Sequence, residues 1–202
     1  MRNIAIDYEI TAPADTVLST QSGSGDQEVE GLQGNVTLES GSGDIRLRDL
    51  KGDVRTHSGS GNVEARDVSS AFHAEAGSGD IRVASVGHGD VGVHTGSGNI
   101  ELRGVNGGLS AEAGSGDITI EGTQVAGWQV RTGSGNVDLR LPGQAAFNLE
   151  ASTSSGEVTV GDPVEMVVQG NLERARHSIK GKVRGGGPLV SVHTGSGDVR
   201  ID

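Results

Sequence analysis

Residues 41–44 read Gly-Ser-Gly-Asp, and this short phrase decides the fold. It stands again, with Asp or Asn in the last place, at 23–26, 59–62, 77–80, 96–99, 114–117, 133–136 and 195–198. The first seven copies keep a period of about 18 residues, lengthened by one at the steps into Gly96 and Gly133. A fixed period of this size marks a solenoid, in which each repeat packs only on its neighbours.

Working outward from one copy gives the contents of a coil. Asp44-Ile45-Arg46-Leu47-Arg48 alternates as a short strand with Ile45 and Leu47 inward. Lys51-Gly52 turns the chain, and Asp53 to Ser58 forms a second strand with Val54, Thr56 and Ser58 inward. Gly59-Ser60-Gly61 turns it again, glycine allowing positive φ and letting corners pile up without side chains. The inward pairs recur at Val63/Ala65, Phe72/Ala74, Ile81/Val83, Val91/Val93, Ile100/Leu102, Leu109/Ala111, Ile118/Ile120 and Val137/Leu139. Trp128 aligns with inward Val91 and is expected to fill the core. The fold class is therefore all-β, a parallel β-solenoid with about 18 residues and two short strands per coil.

A longer repeat overlies this one, since 71–107 and 108–144 align from end to end. Outward charges separate the two periods. Two places before each Gly-Ser-Gly stand Glu39, His57, Glu75, His94, Glu112 and Arg131. On the following strand the series is Arg46, Glu64, Arg82, Glu101, Thr119 and Asp138. Coils of the shorter period put opposite or neutral partners side by side, whereas coils of twice that length would stack Glu75 on Glu112 and Arg46 on Arg82. The shorter period is predicted.

One domain is expected over 1–202, with a leading strand or cap over 1–15 in which Ile4, Ile6, Tyr8 and Ile10 alternate. Regular coils follow over 16–160, and residues 161–186 break the period as a hairpin excursion or one distorted coil. A final coil over 187–202 brings the expected total to about ten, and its end offers an edge for pairing with another copy.

Composition narrows the function. Hydrophobic residues are 33% and aromatics 2%, too few for a thick core but enough for a thin inner row per coil. A net charge of −11 disfavours nucleic acid and anionic lipid as general partners. There is no Cys and hence no thiolate metal site. The chain has no apolar run long enough to span a membrane. The opening Met-Arg-Asn-Ile-Ala-Ile-Asp lacks the apolar core of a signal peptide. The expected location is extracytoplasmic or envelope if a leader has been removed, and cytoplasmic otherwise.

Three features invite chemistry. The corner series Asp26, Asp44, Asn62, Asp80, Asn99, Asp117 and Asn136 resembles a calcium ladder. Such ladders want a carboxylate on each turn, and the alternation with Asn points to backbone capping. His57, His94 and His193 share one site on different coils, but a tetrahedral zinc site needs three or four convergent ligands. Arg174, Arg176, His177, Lys180, Lys182 and Arg184 form a basic cluster in the segment that breaks the repeat. It is the candidate partner-binding patch, for a cell-surface glycan or a protein. No nucleophile elbow and no paired carboxylates in a cleft stand out, so no enzyme, no cofactor and no metal is expected.

These residues, with the Gly-Gly-Gly-Pro and Thr-Gly-Ser-Gly-Asp ending at 185–198, resemble the bacterial putative-adhesin families of unknown function built from Gly-Ser-Gly-Asp β-strand repeats. The resemblance covers roughly 16–202 and implies a right-handed parallel β-solenoid, usually exported or anchored at the envelope, with no established enzymatic activity. The expected function is a non-catalytic surface or adhesion module. The alternatives are a solenoid that assembles end to end through its terminal coils, and a glycan- or calcium-binding solenoid.

Overall fold

The structure is a computed structural model and describes residues 8–161, 166–168 and 176–202. Its strands come in pairs, one pair per coil. The first three pairs are β1 (Leu18–Ser22) with β2 (Gln27–Glu30), β3 (Val36–Ser40) with β4 (Ile45–Leu50), and β5 (Val54–Ser58) with β6 (Val63–Val68). Next come β7 (Phe72–Ala76) with β8 (Ile81–Val86), β9 (Val91–Ser97) with β10 (Ile100–Val105), and β11 (Leu109–Ser115) with β12 (Ile118–Gly122). Then follow β13 (Trp128–Ser134) with β14 (Val137–Arg140), and β15 (Phe147–Ser155) with β16 (Val158–Val160). Two short strands, β17 (Met166–Val168) and β18 (Ser178–Val183), precede the last pair, β19 (Leu189–Ser196) with β20 (Val199–Ile201).

Odd-numbered strands up to β13 pair in parallel in one sheet, and even-numbered strands up to β14 pair in parallel in the other. Register partners such as Val36↔Val54 and Ile45↔Val63 stand one short repeat apart, which settles the period. The two longer steps place their extra residue in the turns at 87–90 and 123–127, outside the strands, as the register Phe72↔Val91 and Leu109↔Trp128 requires. Every inward pair predicted above is buried, with the two rows facing each other across a thin core. Trp128, 1% exposed, stacks on Leu109 and donates its indole N–H to Gly107 O at 2.9 Å.

The stack departs from sequence order at one end. β13 pairs not with β15 but with β19, and β15 lies on the far side of β19. The second sheet repeats this, with β14, β20 and β16 in that order. The final coil therefore lies inside the rod, between the coil of 128–140 and the coil of 147–160. Nine coils are stacked among the described residues rather than about ten, which at the usual strand spacing gives a rod of roughly 40 Å. The edge expected at the C-terminal coil is occupied on both sides.

β18 extends the first sheet by pairing antiparallel with β15, and β17, antiparallel to β18, is that sheet's end strand. Among the irregular residues 161–186, the described ones thus run up and back across the end of the sheet. At the other end, β1 and β2 are the last described strands of their sheets. Most of the expected leading strand lies outside the described residues. Its described end, Tyr8 to Ile10, belongs to no strand and leaves Tyr8 83% and Ile10 78% exposed.

Candidate functional site

The corner phrase is held by its neighbours. Asp44, Asn62, Asp80, Asn99, Asp117 and Asn136 each donate their backbone N–H to the side-chain Oδ1 of the corresponding residue one coil below, starting from Asp26, at 2.7–2.9 Å. The row then passes to Asp198, whose N–H bonds Asn136 Oδ1, and to Glu157, whose N–H bonds Asp198 Oδ1, both at 2.9 Å. Asp and Asn are interchangeable here because the ladder uses one oxygen, which both possess. The capping expected within a turn is in fact capping between coils. Among the described residues, no group of three or more His, Cys, Asp or Glu side chains is arranged to hold a metal ion.

The inner hydroxyls change partner along the rod. Ser40 and Ser58 close their own corner, accepting the N–H of Gly43 and of Gly61 at 2.9 Å. Thr95, Thr132, Thr194 and Thr153 instead donate to a glycine carbonyl of the coil below, at 2.9–3.0 Å. The corner glycines reach positive φ only at the later coils, at Gly116, Gly135, Gly156 and Gly197. At the earlier corners their necessity is close approach, since a Cβ on Gly43 or Gly61 would lie 2.0–2.1 Å from the carbonyl oxygen beneath it.

The outward charges stack as the shorter period requires. Glu39, His57, Glu75, His94, Glu112 and Arg131 are consecutive register partners, as are Arg46, Glu64, Arg82 and Glu101. His57 Nδ1 lies 3.4 Å from Glu75, and His94 Nδ1 lies 3.9 Å from Glu112. His73, which the sequence argument passed over, projects from the same face and reaches Glu75 at 3.1 Å. Its hydrogen bond is the main reason the Glu75 carboxyl is held below its usual range, with His57 adding to it. At the rod's first corner Asp26 is also lowered, chiefly by the Asp44 N–H and then by Arg46 at 3.3 Å.

A carboxylate lowered in the folded state stabilises fully above its ordinary value of 3.8, and that contribution is lost as pH falls through the folded-state value. Asp26→Asn keeps the Oδ1 acceptor, as Asn62 and Asn99 do, but loses the titrating charge. Thermal melts taken from about pH 5 down to about pH 2 should therefore fall less steeply for the variant below about pH 4. Parallel melting curves for the two proteins would remove Asp26 from the acid response.

The basic cluster is spread over three local settings. Lys180 and Lys182 point outward from β18, opposite Glu150 and Asn148, and Lys180 forms an ion pair with Glu150. Arg176 and His177 sit in the turn before β18, where their carbonyls accept the N–H groups of Val158 and Thr153 at 2.8 Å. The His177 ring donates from Nδ1 to Gly156 O. Arg184 follows β18 at φ 46° and opens the Gly185–Gly187 turn, and Arg174 lies outside the described residues. The five described members do not share one face. A shallow groove of about 680 Å³ runs elsewhere, along the other corner past Asn35, Asp53, His73, Asp90, Gly92 and Gly108.

A parallel solenoid built on this period can be set beside known families. Residues 8–202 match the Toastrack DUF4097 family, which is nearly the whole chain. The chain is a Toastrack protein. The family is one of unknown function, so membership carries the fold and no activity. Searches of curated proteins and of solved structures return no match. In this Toastrack solenoid the outward polar side chains pair both between coils, as His57 does with Glu75, and along one strand, as Arg66 does with Glu64. Solenoids of this type are not typical enzyme architecture.

Proposed function

We propose that this Toastrack chain is a non-catalytic structural module of a bacterial surface or envelope, a stiff rod that holds its two ends at a fixed separation. The observation that carries this reading is the Asp/Asn ladder, unbroken from Asp26 to Glu157 through every coil. A rod whose corners are bonded coil to coil resists bending, and stiffness over a set length is what a spacer or adhesion stalk supplies. A second reading, assembly end to end, is favoured by β1 and β2 standing at the edges of their sheets among the described residues, and by exposed Tyr8, Ile10 and Val17 in the segment that leads into β1.

Two measurements test these readings. Fractionation of the source cells should place the native protein with the envelope, and recovery in the cytosol would sink the surface role. Sedimentation velocity over a concentration series should return a monomer of constant frictional ratio. Species that lengthen with concentration would replace the spacer by the self-assembling rod.

A further inference from the structure

The insertion of the last coil brings together cations that are far apart in sequence. Across the outer face of the first sheet, Arg131 on β13 is the register partner of His193 on β19, and His193 is the partner of Ser152 on β15. One strand further, Ser152 faces Ser178, Glu150 faces Lys180 and Asn148 faces Lys182 on β18. The four strands therefore present Arg131, His193, Lys180 and Lys182 against the single carboxylate of Glu150. Gln129, Asn148, Ser152, Ser178 and Ser191 fill the places between them.

Within the series that runs from Glu39 to Arg131, the alternation ends at this face. Opposite charges alternate from Glu39 to Arg131, and then two basic side chains meet directly. Like charges opposite each other are unfavourable. The carboxylate on the other side of Arg131, Glu112, is its register partner on β11 but forms no ion pair with it. Arg46, Arg48, Arg66, Arg82 and Arg103 on the earlier coils are all ion-paired. Arg131 and Lys182 make no ion pair among the described residues. His193 Nδ1 is bonded to the Ser152 hydroxyl at 2.9 Å, which fixes the ring without neutralising Arg131 beside it.

We propose that this face binds a slim anionic polysaccharide, whose sulfate or carboxylate groups lie over Arg131 and Lys182 while its hydroxyls meet the amide and hydroxyl side chains between. Three strand spacings separate β13 from β18, roughly 14 Å, so the face admits a single extended chain. A duplex or a membrane would extend over the acidic coils below, beginning at Glu112, and be repelled by a protein of net charge −11. The inference goes beyond the spacer reading and does not depend on it. Recovery of the protein in the cytosol would remove that reading and leave this face to its own test.

The test is calorimetric titration of the whole chain with heparin and with polygalacturonate, at about 20 mM and about 300 mM salt. Wild type should bind at least one of the two at low salt and lose it at high salt. The double variant Arg131→Gln/Lys182→Gln should bind at least tenfold more weakly. Arg55→Gln, which removes an exposed cation of the same sheet at the other end of the rod, should bind as wild type does. Matching urea midpoints show that all three are equally folded. The proposal is overturned if neither polymer binds, if Arg55→Gln weakens binding as much as the double variant, or if duplex DNA or anionic vesicles bind as tightly.

Discussion

Gly61→Ala should unfold the middle of the rod at a urea concentration well below the wild-type midpoint, while Gly23→Ala should leave the midpoint unchanged. Both glycines belong to the same phrase, and neither has positive φ. What differs is what lies underneath. A Cβ on Gly61 would stand 2.0 Å from Gly43 O and 2.5 Å from Gly43 C, and both are backbone atoms that cannot rotate away. A Cβ on Gly23 meets nothing within 4 Å, because Gly23 is in the first coil. Relieving the Gly61 clash requires its coil to separate from the one below, which breaks the inter-coil bonds from Asn62 N–H to Asp44 Oδ1 and from Ile45 N–H to Asn62 O. The expected cost is about 3 kcal/mol or more at Gly61 and within about 0.5 kcal/mol at Gly23. Equal midpoints for the two variants would mean that the coils are not in contact at their corners.

Val190→Asp should release the end of the rod that precedes it in sequence. Val190 is 0% exposed and is sandwiched between Trp128 and Leu149, its register partners on either side. An unpaired carboxylate there is expected to cost about 4 kcal/mol or more, which the coil of β19 and β20 can escape by leaving the stack. β15 and β16 then lose their neighbour, and β18 depends on β15 in turn. Hydrogen exchange should show protection lost together in β15, β16, β18, β19 and β20 and kept in β3 to β6. Loss confined to β19 and β20 would return the coils to sequence order.

Much of this architecture could be read from the chain. The spacing of Gly-Ser-Gly set the repeat, and the alternation of Glu39, His57 and Glu75 chose the shorter period over the doubled one because like charges on neighbouring strands repel. The place of the last coil could not be read, for a physical reason. Asp198 can donate to Asn136 Oδ1 and accept from Glu157 with the same geometry that joins any two corners. Corners that are interchangeable carry no information about order. That choice rests on what lies beyond each coil, and here β18 pairs with the far edge of β15. The cationic face was hidden for the same reason, since Arg131 and His193 are neighbours only once the order is known. The segment 174–184 drew attention through composition, yet its described cations scatter over a turn, a strand and a bend. His73 was overlooked because its series, Thr37, Arg55 and His73, ends at Gly92 and so shows no alternation.

The buried position of the last coil bears on how the protein is made. A ribosome delivers the 147–160 segment before the 187–202 segment, and nascent domains begin folding from the N-terminal side. In that interval the top of the coil at 128–140 is an open edge, and the corner at Ser155-Gly156-Glu157 is the first to reach it. Docking there satisfies the same backbone bonds, so translation itself offers a wrong neighbour first. Reaching the observed order then requires that premature contact to open and admit the tail as a wedge. In the finished rod seven coils follow the order of the chain, and the last segment stands intercalated before the eighth.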